Sequence, residues 1–156
     1  MKRRTFLLSG LALPVLARAS NAAQGDFEIT RTEAEWRDML TDAEYEVMRE
    51  MGTEPAGSSP LDDETRAGIY HCKGCDLPLY SSEAKYDSGT GWPSFYESLP
   101  NAVETMPDRS WFTVRTEVHC RRCGSHLGHI FDDGPPPTGK RHCLNGISLV
   151  FEPAAA

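Results

Sequence analysis

The chain is short of positive charge, lacks an apolar run long enough to cross a bilayer, and shows no internal repeat beyond two short cysteine turns. Its 23 acidic side chains outnumber 16 basic ones, for a formal net charge of −7. A surface of that sign opposes nucleic acid and anionic membranes, both of which need positive charge facing them. The longest apolar stretch, Phe6 to Leu16, falls short of the roughly 20 residues that a spanning helix needs, which favours an export signal over a membrane anchor. At 156 residues without a repeat, the chain supports one domain with its own core.

That apolar stretch has another reading. Lys2-Arg3-Arg4 is a basic leader, Phe6–Leu16 an apolar centre, and Ala19 to Ala23 a run of small residues suited to cleavage. Residues 1–22 are expected to be an export signal, and Arg3-Arg4-Thr5-Phe6-Leu7 resembles the twin-arginine type that carries folded proteins. Residues 23–156 then form a single exported, periplasmic domain, with no membrane contact after cleavage. Removing the signal leaves 12 basic residues against 23 acidic ones, a formal charge of −11.

Thirteen glycines and eleven prolines favour a turn-rich, β-heavy fold. Thr32-x-x-Glu35 and Thr41-x-x-Glu44 are capping-box signals that predict two short helices. Trp36, Met39 and Leu40 form the apolar face of the first, and Tyr45, Met48 and Met51 that of the second, with Gly52 as its stop. Residues 52–59 read as a connecting loop, and 132–140, with three prolines and two glycines, as another. Strands are expected at 69–72, 77–80, 111–119 and 147–151. The expected fold is mainly β (α+β): small antiparallel sheets with short helices at the N-terminal side.

Only five cysteines are present, and their spacing is informative. Cys72-x-x-Cys75 and Cys120-x-x-Cys123, with 44 residues (76–119) between them, can converge on one tetrahedral zinc ion. Two disulfides would use the same four thiols, and a thioredoxin-like role for one pair would need a βαβ context that neither has. Four thiolates leave no open coordination position, so a zinc held there is structural. The fifth, Cys143, lies in Arg141-His142-Cys143-Leu144-Asn145, where a cation and hydrogen-bonding side chains favour a reactive thiol over an inert buried one. Ser125-His126-Leu127-Gly128-His129 offers two histidines for acid or hydrogen-bonding roles. Gly89-Thr90-Gly91-Trp92 carries an indole that either walls a small pocket or packs into the core after a tight turn.

Together, the segment 81–95, the run from Cys120 through His129 and the motif 141–145 resemble the methionine-R-sulfoxide reductases, the B-type enzymes, from about Trp36 to Phe151. The resemblance implies antiparallel sheets with peripheral helices, two small sheets and a four-cysteine zinc. It implies an oxidoreductase acting on oxidised methionine in proteins and peptides, in the repair of oxidised proteins. Cys143 matches the nucleophile, which becomes a sulfenic acid as methionine leaves. His129 matches the residue that hydrogen-bonds and helps protonate the sulfoxide oxygen, with His126, Asn145 and Arg141 as its support and Asp133 as a secondary acidic position. Trp92 matches the indole that packs on the substrate methyl.

One position departs from many relatives: Thr90 stands where they carry a cysteine that resolves the sulfenic acid as a disulfide. With the other four cysteines assigned to zinc, an external thiol, thioredoxin-like or smaller, is expected to reduce Cys143 directly. The chain is expected to act as a monomer without an organic cofactor. A zinc-ribbon binding module would use the same two turns, but it would need a basic or aromatic recognition surface and no Cys143.

Overall fold

The computed structural model describes residues 25–109 and 113–155. The expected export signal and the start of the expected strand at 111–112 lie outside them. Both predicted helices form where their capping boxes place them. Helix α1 spans Glu33–Met39 and α2 spans Asp42–Glu50. Thr32 Oγ1 accepts the Glu35 N–H at 3.3 Å, and the Glu35 carboxylate accepts the Thr32 N–H at 2.8 Å; Thr41 and Glu44 repeat both bonds. Helices this short are unstable alone and are held by what they bury. Trp36, Leu40, Tyr45 and Met48 are buried, and the guanidinium groups of Arg31 and Arg49 lie 4.8 and 4.5 Å from the Trp36 ring. Met39 departs from the expected face at 44% exposure, because Leu40, extended at the cap, takes the inward place. The stop also differs by one residue: Met51 adopts the left-handed conformation, and it and Gly52 both donate to the Glu46 carbonyl.

Among the described residues, nine strands form two sheets, antiparallel as the sequence led us to expect. The smaller has the order β2 (Pro78–Ser81), β1 (Gly68–Cys72), β9 (Leu149–Pro153). The larger has the order β3 (Lys85–Tyr86), β4 (Ser94–Phe95), β8 (Arg141–Leu144), β7 (His126–Phe131), β6 (Arg115–Cys120), β5 (Val103–Asp108).

Two expected strands are corrected. The one placed at 111–119 begins only at Arg115, with Thr113 and Val114 outside it and Val114 69% exposed; it lies one place in from the sheet edge. The one placed at 147–151 begins at Leu149. Residues Gly146–Ser148 form a 3-10 turn instead, because the Glu54 carboxylate takes the N–H groups of Gly146 and Ile147.

The sheets meet through aromatic side chains. Phe95 of β4 packs with its ring centroid 4.9 Å from Tyr70 of β1 and 4.6 Å from Tyr80 of β2, and Phe151 of β9 lies 4.8 Å from Tyr70. Tyr70, Tyr80 and Phe95 are fully buried. Such pairs each contribute about 0.5–1.5 kcal/mol beyond the area they bury. Among the described residues no helix is long and apolar enough to cross a membrane.

Candidate active site

Strands β7 and β8 run antiparallel, and their register sets His129 opposite Cys143, with Ser94 of β4 on the other flank of the cysteine. The close approach depends on Gly128. A Cβ there would lie 2.1 Å from the Cys143 carbonyl oxygen, so any side chain would push the two strands apart. Above the pair lies a cavity of about 150 Å³, lined among others by Thr53, Trp92, Arg115, His129, Cys143 and Asn145. The volume admits the tip of one unbranched side chain.

His129 is 7% exposed, and its Nε2 lies 2.8 Å from Asp108 Oδ2. The same carboxylate oxygen accepts from Arg115 Nη2 at 2.6 Å. Burial lowers the His129 pKa, with the Asp108 hydrogen bond pulling the other way, and so favours the neutral ring. A neutral ring that donates Nε2–H to Asp108 presents Nδ1 as an acceptor.

His126 stands behind His129 rather than in the cavity, their rings 5.3 Å apart and edge to face. Its Nδ1 lies 2.7 Å from one oxygen of Glu117, whose other oxygen lies 2.7 Å from His119 Nδ1. Burial raises the pKa of the Glu117 carboxyl, but the hydrogen bonds from the two histidines outweigh it and leave the group below its ordinary value. The His119–Glu117–His126 chain therefore fixes the ring on which His129 packs.

Burial raises the pKa of the half-buried Cys143 thiol. The Arg141 charge and hydrogen bonds from the Thr90 and Arg141 side chains lower it without cancelling the rise. The balance favours the thiol form. Arg141 lies two residues back on the same strand, outside the cavity, with its guanidinium forked onto Asp133 by two 2.8 Å bonds and stacked 4.5 Å from the Phe131 ring. His142 points the other way, onto Tyr80 at 3.0 Å, and burial lowers its pKa to about 4; the cation beside the thiol is thus Arg141 alone of the two. Thr90 begins a hydroxyl chain, 2.8 Å to Ser88 and 2.8 Å on to Ser94, which donates to the Trp92 carbonyl.

Trp92 donates its indole N–H to the Glu54 carbonyl at 3.0 Å. Asn145, 4% exposed, accepts the Glu54 N–H on Oδ1 at 3.0 Å and donates one Nδ2 hydrogen to the Leu127 carbonyl at 3.2 Å. The structure thus gathers Cys143, His129, Trp92 and Asn145 around one cavity, with His126 behind it and Arg141 and Asp133 beside it. The sequence reading missed Asp108, Arg115, Glu117 and Glu54. Of these only Glu117 left a signal, an acidic residue between Thr116 and Val118 in a β-rich run.

The other four cysteines form a cluster whose sulfur atoms all lie within 4.8 Å of one another. The two turns share one design. The residue four past the first cysteine is left-handed and donates to that cysteine's carbonyl: Asp76 to Cys72 and Gly124 to Cys120, each at 2.8 Å. In the second turn that left-handed place is a glycine, whereas in the first it belongs to Asp76. Gly74 is needed for a different reason, since a Cβ there would lie 2.9 Å from Ser125 Oγ.

Sγ separations are 3.7 Å for Cys72–Cys123 and 3.4 Å for Cys75–Cys120, too long for disulfide bonds. A tetrahedral zinc with sulfur at about 2.3 Å requires edges of about 3.8 Å, so the cluster fits such an ion. Strand β6 ends in Cys120 and begins at Arg115 in the cavity wall, which sets the cluster roughly 17 Å along the strand from the pocket.

Comparison with known proteins agrees with this arrangement. The SelR domain model matches residues 40–153. The chain is similar to the peptide methionine sulfoxide reductase MsrB of Thiobacillus denitrificans, 52% identical over 124 residues that cover 79% of this chain and 94% of that one. It is similar to the enzyme of the same name from Pseudomonas entomophila, 51% identical over 127 residues, 81% of this chain and 97% of the other. The Leifsonia xyli enzyme is 50% identical over 135 residues, 85% of this chain and 97% of its own. With the SelR domain over most of its length and half its aligned residues shared with these reductases, the chain belongs to the SelR-domain family, the MsrB peptide methionine sulfoxide reductases.

Proposed function

We propose that this oxidoreductase reduces the R epimer of methionine sulfoxide in proteins and peptides, in the repair of oxidised proteins, with Cys143 taking the oxygen as a sulfenic acid. The observation that carries the reading is Cys143 facing His129 across β7 and β8 in a small cavity walled by Trp92.

Burial favours the uncharged form of each of the two groups, a thiol at Cys143 and a neutral imidazole at His129. His129 Nδ1 accepts the thiol proton, Asp108 stabilises the imidazolium that results, and the same proton passes to the sulfoxide oxygen, which leaves only when protonated. Cys143 Sγ bonds to the substrate sulfur, the oxygen moves to Sγ as hydroxyl, and the substrate departs as the thioether. Two electrons pass from the thiol to the sulfoxide, and the sum neither gains nor loses a proton. With Trp92 taking the methyl and Asn145 and His129 on the side of the oxygen, only one epimer fits.

An external thiol then attacks the sulfenic acid, releasing water and forming a mixed disulfide that a second thiol resolves. Support for this route comes from Thr90 beside Cys143, and from the other four cysteines lying together in the cluster. Cys72, Cys75, Cys120 and Cys123 would hold one structural zinc, which supplies rigidity and no step of the reaction. We further propose an exported, periplasmic monomer with residues 1–22 removed as a signal. Retention of the precursor inside the cell when Arg3 and Arg4 are both replaced by lysine would support the twin-arginine route, and normal export would point to the general secretory route.

The decisive experiment gives both epimers, free and in a peptide, to wild type and to Cys143→Ser with a dithiol as reductant. Turnover of the R epimer alone, abolished in Cys143→Ser with fold and metal retained, is the expected result. A sulfenic-acid trap should label Cys143 after one turnover without reductant. Equal rates on both epimers, or an active Cys143→Ser protein, would show the reading to be wrong.

A further inference from the structure

The segment after α2, residues 52–59, looks like a plain connector in the sequence, yet it runs as a strap along the reactive cavity. Thr53 lines the cavity, and Glu54 next to it is 7% exposed. One carboxylate oxygen of Glu54 accepts the Gly146 N–H, and the other accepts the Ile147 N–H at 3.0 Å. Its own N–H donates to Asn145 Oδ1, and its own carbonyl accepts the Trp92 indole N–H, each at 3.0 Å. Three residues on, the Gly57 N–H donates to the Gly91 carbonyl at 2.7 Å. Gly91 is left-handed, at φ +87°, and a Cβ there would lie 2.9 Å from the Gly57 nitrogen, so the loop bearing Trp92 meets the strap backbone to backbone.

We infer that Glu54 is a positioning residue for the reaction. Its carboxylate pins the strap to the 3-10 turn that follows Asn145. Its main chain then holds the Trp92 indole and the Asn145 amide at a fixed separation across the cavity. The inference rests on the proposed sulfoxide reduction, because the two groups it spaces are those that receive the methyl and the oxygen.

The chemistry of the pin explains why the residue is an acid. Two neighbouring N–H groups at the start of the turn converge, and one carboxylate supplies an oxygen to each. Burying a carboxylate without such partners costs several kcal/mol, so its position away from water implies that both bonds are needed. Burial raises the Glu54 pKa, while the two N–H bonds lower it. The Glu54 carboxylate bonds Gly146 and Ile147, and the residue's bonds to Trp92 and Asn145 are made by its main chain. It acts on them through the four backbone and turn bonds, which sets its effect apart from theirs.

The test uses the full chain with its metal, as wild type, Glu54→Ala and Glu54→Gln, assayed on a peptide containing methionine-R-sulfoxide. Loss of two charge-assisted bonds predicts a fall of about 10- to 100-fold in kcat/KM for Glu54→Ala, carried mainly by KM. Glu54→Gln keeps one accepting oxygen but sets an amide NH₂ against the other N–H, so its fall is smaller.

Two further readouts separate positioning from a structural role. The rate of Cys143 alkylation by iodoacetamide should stay within about twofold of wild type, since the nucleophile sits on β8 outside the strap. Glu54→Ala in a Trp92→Phe background should cost less than the product of the single losses, because phenylalanine has no N–H for the strap to hold. Wild-type kcat/KM in Glu54→Ala, or losses that multiply fully with Trp92→Phe, overturns the inference. Where Glu54→Ala does not fold, Glu54→Gln decides in the same way, its undiminished activity being the overturning result. A wild type inactive on both epimers overturns the functional reading and this inference with it, whereas an active wild type with unaffected Glu54 variants overturns this inference alone.

Discussion

Asn in place of Asp108 removes the charge beneath His129 while keeping the shape of the side chain. Both partners are buried, at 4% and 7% exposure, and the bond between them is 2.8 Å. Solvent screening is therefore slight. A hydrogen bond to a charged group contributes about 1.5–3 kcal/mol, and here it strengthens as the ring becomes imidazolium during proton transfer. At 1.36 kcal/mol per decade, the single-turnover rate of methionine release should fall by about 10- to 150-fold.

The pH profile gives an independent reading. In the proposed mechanism His129 must be neutral to take the thiol proton, so activity should be lost as pH falls through its pKa. Burial already holds that pKa below the ordinary value, with Asp108 opposing it. Without the carboxylate, burial acts with less opposition and the acid limb should move to lower pH. Thermal melting and metal content serve as controls for the Arg115 guanidinium, which loses its 2.6 Å partner. A variant within threefold of wild type, with an unmoved acid limb, would refute the role given to the His129–Asp108 pair.

Trp92→Ala should raise KM by about tenfold, since it removes the apolar wall that meets the substrate; steady-state kinetics on the peptide sulfoxide checks this. Cys72→Ser should abolish stoichiometric metal binding and leave the chain largely unfolded at 37 °C by circular dichroism, because structural zinc supplies on the order of 10 kcal/mol, comparable to the whole stability of a domain. Phe95→Ala, at a fully buried ring between two tyrosines, should cost about 3–5 kcal/mol in urea unfolding while the metal is retained.

What could be read from the sequence is what depends on neighbours in the chain. Both capping boxes hold because threonine and glutamate three residues apart need no distant partner. The two cysteine turns hold for the same reason, apart from the residue that takes the left-handed place. The 147–151 strand shifted because its first residues answer to Glu54, 92 positions away from Gly146, and local alternation carries no trace of that bond. Asp108 escaped notice likewise, as it reaches His129 only once β5, β6 and β7 lie side by side. The motif from His126 to His129 was legible as chemistry but not as a strand. Its facing of Cys143 depends on a register set across the 132–140 loop.

The four-cysteine cluster draws one turn from each sheet, Cys72 and Cys75 from the end of β1 and Cys120 and Cys123 from the end of β6. An ion held by the cluster would tie Cys75 to Cys120 and close the chain between them into a ring. Loop-closure entropy for a ring of that length lowers the freedom of the unfolded chain by about 4 kcal/mol. Thr90, Trp92, Asp108 and Arg115 all lie inside the ring, whereas Glu54, His129, Cys143 and Asn145 lie outside it. The pocket is thus assembled between a tethered stretch of chain and an untethered one. Through such an ion the four clustered thiols would set how much disorder is lost when the Trp92 wall comes to face Cys143.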